Sequence, residues 1–233
     1  MLLERGYEAL HASGLDKAAL VGSGTGVAVG IGHVEFGRLV LSGPLRHSVY
    51  AATGSSLSIA SGRLSYVLGL QGPCAAFETA CSASLVACHS ALRALQHAEC
   101  ERHLVAGVNA MLMQATALTF AVAGMTSGVG RCHTFDSRAD GFARGEGCVS
   151  LALETLESRS GGPGDGGGEP DEGSIGVAGS AVRQDGKSAS LTAPNGQAQR
   201  GLLRAALAEA SVEPSCISCV EAHGTGTALG DPI

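Results

Sequence analysis

The apolar positions of this chain change period several times along its length, and each change predicts an element. The opening MLLERGYEALHASG is amphipathic at helical spacing and meets a stop at Gly14. Residues 19–31, ALVGSGTGVAVGI, read as strand material interrupted by glycines. Residues 51–69 alternate small polar and apolar side chains and end in the strand-like LSYVLGL. Residues 74–79 are short and half apolar and lead into Cys81. From Cys81, the positions Leu85, Cys88, Leu92 and Leu95 step by four, three, four and three, which predicts a helix over 81–98 with that face buried. HLVAGV at 103–108 and GCVSLALETL at 147–156 predict strands of the buried type. SIGVAGSAV also reads as strand, QAQRGLLRAALAEA at 197–210 as helix, and ISCVEAH as a further strand delivering the Gly/Thr turn GTGTALGDP. Strands alternating with helices predict an α/β fold with a largely parallel sheet. Between them, SGGPGDGGGEPDEG at 160–173 offers nothing to bury, so it reads as a flexible surface insertion rather than a domain boundary.

Composition sharpens this. The chain has 233 residues, 45% hydrophobic and only 3% aromatic, with no Trp and 35 Gly. Small side chains must therefore supply much of the packing, which suits helices lying close against parallel strands. The formal charge of −6, with no long basic run, excludes a duplex nucleic-acid partner. No uninterrupted apolar stretch is long enough for a membrane span, and the start lacks a secretory core. Eight Cys in a long, Ala-rich chain read as reduced thiols of a cytoplasmic protein. The one CxxC, Cys216–Cys219, has no second pair to complete a zinc set and reads as two core thiols, with no metal.

Three segments carry chemistry. In Thr79-Ala80-Cys81-Ser82-Ala83-Ser84, a thiol stands where a short strand turns into an apolar helix. The positive end of the helix dipole and its unpaired N–H groups favour the thiolate and can stabilise an oxyanion. The same residue reads equally as a small core Cys. In Glu221-Ala222-His223-Gly224-Thr225-Gly226-Thr227, an imidazole leaves a strand end beside two hydroxyls. It reads as base or hydrogen-bond donor, or as a loop His held by a carbonyl, and Thr225 and Thr227 as ligand contacts or turn caps. The charged loop FDSRADGFARGEG reads either as a salt-bridged wall of a cleft or as a solvated loop. GSGTG at 22–26 lacks the spacing and the following helix of a dinucleotide site, and no GxSxG nucleophile elbow occurs.

Taken together, these blocks resemble a known family. ETACSASLVACHSAL resembles the active-site Cys segment of β-ketoacyl synthases. FDSRADGFARGEG, GSAVRQDGKSASLTAPNGQAQ and VEAHGTGTALGDPI resemble three further blocks of the modular polyketide synthase subtype, in order and over the whole chain. The resemblance implies a thiolase-like layered α-β-α-β-α fold, here the first half plus a second half beginning near 215, in a partial domain over 1–233. It also implies a homodimer. The implied reaction is the decarboxylative condensation of an acyl group on Cys81 with a malonyl-type extender, in polyketide or fatty-acid synthesis. It implies an acyl carrier protein as partner, with acyl and malonyl thioesters carried on phosphopantetheine and no directly bound cofactor. By motif, Cys81 is the nucleophile, His223 the first of two catalytic histidines, and Thr225 and Thr227 contacts to the phosphopantetheine arm. Glu78 and Arg183 depart from the family's usual Asp and Asn. The family's opening strand and the later block with the second histidine have no counterpart here, so the sequence reads as an internal fragment, and organellar import stays open. Competing readings are another thiolase-fold enzyme, or a non-catalytic or acyl-loading-only half-domain serving as a dimer partner.

Overall fold

A computed structural model describes residues 1–155 and 175–233. The Gly-rich insertion expected at 160–173 lies outside the described residues. The chain divides into two compact units: residues 1–113 with the segment from Gly145 onward, and residues 114–144 with 175–233.

The first unit is a sheet covered on both faces. Helix α1 (Leu2–Ala12) and the single turn α2 (Lys17–Leu20) lead into strand β1 (Gly26–Ile31). Helices α3 (Glu35–Ser42), α4 (Ala51–Ser55) and α5 (Leu57–Leu68) follow, then strand β2 (Cys74–Phe77), helix α6 (Ala83–Gln96) and strand β3 (Arg102–Asn109). Strand β4 (Gly147–Glu154) completes a sheet of order β2-β1-β3-β4. β1 pairs parallel with β2 and β3, and β4 pairs antiparallel with β3. The two-residue period of the strands sorts the core. Val27, Val29, Leu104 and Ala106 point to one face, where they pack with Leu10 of α1 and Leu64 and Leu68 of α5. Ala28 and Val105 point to the other, against Ala87 and Ala91 of α6. β2 is an edge strand, half of it exposed.

Readings of this unit need correction. β4 forms where expected but is not of the buried type: Val149 and Leu151 are 64% and 50% exposed, since it has a strand partner on one side alone among the described residues. Residues 51–69 are helical: Ser61, Leu64 and Leu68 form a buried stripe at helical spacing, and Gly69 at φ 73° closes α5 in the left-handed region. The alternation seen in the sequence comes from small residues on the exposed side, where the period carries no packing information. The face of α6 is also different. Ala83, Ala87, Ala91 and Ala94 are buried with Leu95, while Leu85 is 74% exposed and Cys88 only half-buried. A leucine stripe would hold the helix off the sheet; the alanine stripe lets it settle onto the small residues beneath. At Gly30 a Cβ would lie 2.5 Å from Ser84 Cα, and at Gly107 2.8 Å from Ser84 Cβ, so β1 meets α6 backbone to backbone and β3 meets the Ser84 side chain.

In the second unit, helix α7 (Gln114–Val122) and helix α8 (Gly196–Ala210) are the regular elements. Asn195 caps α8, its Oδ1 accepting from Gln197 N (3.1 Å) and Ala198 N (3.3 Å). Gly179 lies against the end of α8, where a Cβ would meet Ala210 N at 2.7 Å. Neither 175–182 nor 217–223 is a strand, contrary to the sequence pattern. Their β-branched character is a preference that only a partnering strand converts into a ladder, and no described residue pairs with either segment. Among the described residues, no helix is long and apolar enough to cross a membrane.

Candidate active site

In the first unit the candidate nucleophile stands on a strained turn. Cys81 is the middle residue of a 3-10 turn, Ala80–Ser82, between β2 and α6. Ala80 has φ 54°, a left-handed conformation that costs a non-glycine residue roughly 1–2 kcal/mol. Such strain persists only where neighbours over-determine it, and here they do. Ser82 Oγ donates to Thr79 O (2.9 Å), with Thr79 Oγ1 3.0 Å away. Gly32, just past the end of β1, is so close that a Cβ there would lie 2.8 Å from Ala80 O. Gly30 and Gly107 press on Ser84 from below. The turn is thus clamped by the carboxyl ends of β1 and β3, the end of an open α/β sheet where sites form.

Cys81 itself is exposed, and no side chain caps the first turn of α6 behind it. All eight cysteines are free. Burial pushes the thiols of Cys88, Cys100 and Cys148 above the usual range. Cys216 and Cys219, expected in the core, are both exposed, because the strand that was to bury them is absent from the described residues.

The second unit holds the other three candidates. His223 is exposed at the mouth of a glycine-rich loop in which Gly224 and Gly226 have φ of 46° and 67°. The hydroxyls of Thr225 and Thr227 lie 3.0 Å apart, and Gly230 N donates to Thr227 Oγ1 (3.0 Å). The structure brings these two threonines together, and His223 is two residues away on the same loop. Cys81 belongs to the first unit.

The third motif has a role the sequence did not disclose. Residues 132–142 brace the histidine loop along its length. Thr134 Oγ1 donates to Gly224 O (2.7 Å), and Gly141 N to Gly226 O (2.8 Å). Asp231 then bridges the two segments, accepting from Gly226 N (2.9 Å) and Phe135 N (2.8 Å). A Cβ on Gly224 would lie 2.6 Å from Thr134 Cγ2, which is why glycine stands there. The charges in the same motif stabilise the brace itself. Arg138 grips Asp136 through Nε (2.9 Å) and Nη2 (2.8 Å), which holds that carboxyl well below the usual carboxylate range. Arg144 lies 5.1 Å over the Phe120 ring, which meets Phe142 edge-on. Neither alternative from the sequence describes this: the loop is a scaffold for another loop. The signal was available only as Asp231, five residues beyond Gly226, since nothing in a sequence pairs it with Phe135.

The QDG and TAPNG blocks are likewise tied together. Asn195 N donates to Asp185 Oδ2 (3.0 Å) and Asn195 Nδ2 to Asp185 O (2.9 Å), beside the cap that Asn195 provides to α8. Among the described residues, no group of three or more His, Cys, Asp or Glu side chains is placed to hold a metal ion.

Comparison with known proteins identifies the family. Residues 1–159 match the family profile "Beta-ketoacyl synthase, N-terminal domain", and residues 175–233 match "Beta-ketoacyl synthase, C-terminal domain". The whole chain is 42% identical to a mycocerosic acid synthase-like polyketide synthase of Mycolicibacterium smegmatis, of which it covers 11%. It is also 42% identical to a phenolphthiocerol/phthiocerol polyketide synthase of Mycobacterium tuberculosis, of which it covers 15%. The chain therefore spans a small part of these relatives' length. Among solved structures, 99% of the chain superposes on the ketosynthase from module 6 of the bacillaene synthase of Bacillus subtilis 168. The TM-score is 0.86 and the identity 36%, over 38% of that chain. An oxazolomycin ketosynthase domain of Streptomyces albus gives a TM-score of 0.87 at 33% identity, over 39% of its length. The fold is thiolase-like, and the chain belongs to the β-ketoacyl synthase family.

Proposed function

We propose that this chain carries the acyl-accepting centre of a polyketide-type ketosynthase, with Cys81 as the acylated thiol. The carrying observation is the clamped turn: an exposed Cys81 held one residue past a strained Ala80, at the uncapped start of α6. Such a placement gives the sulfur a fixed direction of attack and leaves backbone N–H groups for a developing oxyanion.

In the first step the Cys81 thiolate attacks the thioester carbonyl of an acyl group borne on the phosphopantetheine of an acyl carrier protein. A C–S bond to Cys81 forms, the C–S bond to the carrier breaks, and the carrier thiol takes up a proton. In the second, a malonyl-type thioester loses carbon dioxide to give an enolate. That carbanion attacks the Cys81 thioester, which releases the thiolate and leaves a β-ketoacyl group on the carrier. His223 serves this step as a donor to the enolate oxygen, and the paired hydroxyls of Thr225 and Thr227 as contacts to the pantetheine arm. The bracing of their loop by residues 132–142 supports that assignment, because a donor stabilises a transition state only when it is held in place beforehand. Self-association through the β2 edge is the quaternary form this reading favours. The relatives are bacterial polyketide synthases, which favours a cytoplasmic setting.

Incubating the chain with an acyl-loaded carrier protein and following its intact mass tests the proposal. A mass increase of one acyl group, abolished in Cys81→Ala, is expected. Equal loading of Cys81→Ala would overturn it.

A further inference from the structure

We propose that Glu35 is a positioning residue that fixes an apolar rim, Met111 and Leu112, against which an acyl chain entering the Cys81 site lies. This rests on the reading of Cys81 as the acylated thiol. Glu35 is in the first turn of α3 and only 3% exposed, an uncommon place for a carboxylate. Its Oε2 accepts from Leu112 N and Met113 N, each at 2.6 Å. Met111 N, next in line, donates to Glu146 Oε1 at 2.7 Å. Three successive amides of the segment after β3 are therefore held by carboxylates from two other parts of the unit. A loop tied down amide by amide, by groups as far as 78 residues away, has a conformation that something needs.

The neighbourhood supplies the need. β3 enters the loop past Gly107, which abuts Ser84, three residues after Cys81. α3 is entered past Gly32, which abuts Ala80, one residue before Cys81. The clamp and the clamped loop thus both spring from the two strand ends that hold the nucleophile's turn. Only two residues of β3 remain beyond Gly107, about 7 Å at a strand rise of about 3.3 Å per residue, so the tied segment begins a short way past the nucleophile's clamp. Met111 and Leu112 are 39% and 45% exposed, and an adaptable thioether beside a branched alkyl group suits a hydrocarbon chain.

Loading of the full chain from acetyl and from octanoyl N-acetylcysteamine thioesters, read as intact mass above a Cys81→Ala background, tests this. In Glu35→Ala the octanoyl-to-acetyl loading ratio is expected to fall by about tenfold or more, the scale on which apolar contacts discriminate substrates. Alkylation of Cys81 by iodoacetamide, which needs no rim, is expected to stay unchanged. Glu35→Gln, whose amide oxygen accepts both N–H groups, is expected to restore the ratio. Replacing both Met111 and Leu112 by Ser leaves the clamp intact and is expected to lower the same ratio, which keeps the test decisive if Glu35→Ala does not fold. Equal slowing of both thioesters in Glu35→Ala, or an unchanged ratio in the double Ser variant, would overturn the inference. No loading at Cys81 in the unaltered chain would remove the reading of the thiol, and the inference with it.

Discussion

Replacing Gly30 by Ala should both destabilise the first unit and disable Cys81. The added Cβ would lie 2.5 Å from both Ser84 Cα and the Ala83 carbonyl carbon, and closer still to Ser84 N. All three obstacles are backbone, so no rotamer change relieves the clash. α6 must withdraw by about 1 Å to restore ordinary contact, a gap that forfeits a quarter to a half of the dispersion across it. Overpacking of a close-packed interior typically costs about 1–3 kcal/mol. The backbone obstacle places Gly30→Ala at the upper end, and the gain from replacing a flexible glycine returns only about 0.5–1 kcal/mol. A net loss near 2 kcal/mol corresponds to a fall in Tm of roughly 4–8 °C for a chain of this size. Displacing the start of α6 also displaces Cys81, and about 1 Å of misplacement is enough to slow a positioned reaction about 100-fold. The assay is thermal unfolding together with the rate of acyl loading. Gly62→Ala, in α5 with open space around the position, is the control and should not lower Tm. An unchanged Tm and loading rate in Gly30→Ala would refute the idea that the strand ends clamp this turn.

Three further outcomes are expected. Under limiting iodoacetamide, Cys81 should label ahead of Cys88, Cys100 and Cys148, whose thiols burial holds protonated; first labelling of Cys216 or Cys219 would count heavily against the assignment. Burial also pulls the pKa of His103 below the ordinary 6.5, so the unfolded chain binds a proton there more readily than the folded one. The contribution of the neutral ring is therefore complete above pH 6.5 and lost as pH falls below it; urea unfolding compared above and below that pH should show the loss, and His103→Gln should flatten it. The edge strand β2 should pair with a second copy, and a clean monomer in sedimentation at micromolar concentration, on the order of where association of this kind is seen, would argue against it.

Much of this was legible in the sequence where local pattern and tertiary demand coincide. β3 is a largely buried apolar run, β4 a strand of the expected extent though not of the buried type, and α8 follows a capping Asn195, so their patterns predicted the elements. The pattern misled where small residues dominate. In α5 and α6 the burial stripe is made of Ala, Ser and a few Leu, and hydrophobicity does not distinguish a buried Ala from an exposed one. The position of Cys81 at a strand-to-helix turn was readable, but the left-handed Ala80 was not, since Ala gives no hint of positive φ. The braces were unreadable for another reason. Asp231 with Phe135, or Glu35 with Leu112, are contacts between distant residues, and only the fold brings them together.

The central claim is that the acyl group comes to rest on one sulfur among eight. Digestion of the acyl-loaded chain and mapping of the modified peptide by mass spectrometry tests it directly. The account predicts the acyl mass on the peptide containing Thr79-Ala80-Cys81, with the other seven cysteines unmodified and with His223→Ala still loading. An acyl group found on any other cysteine, with Cys81 left free, would contradict it.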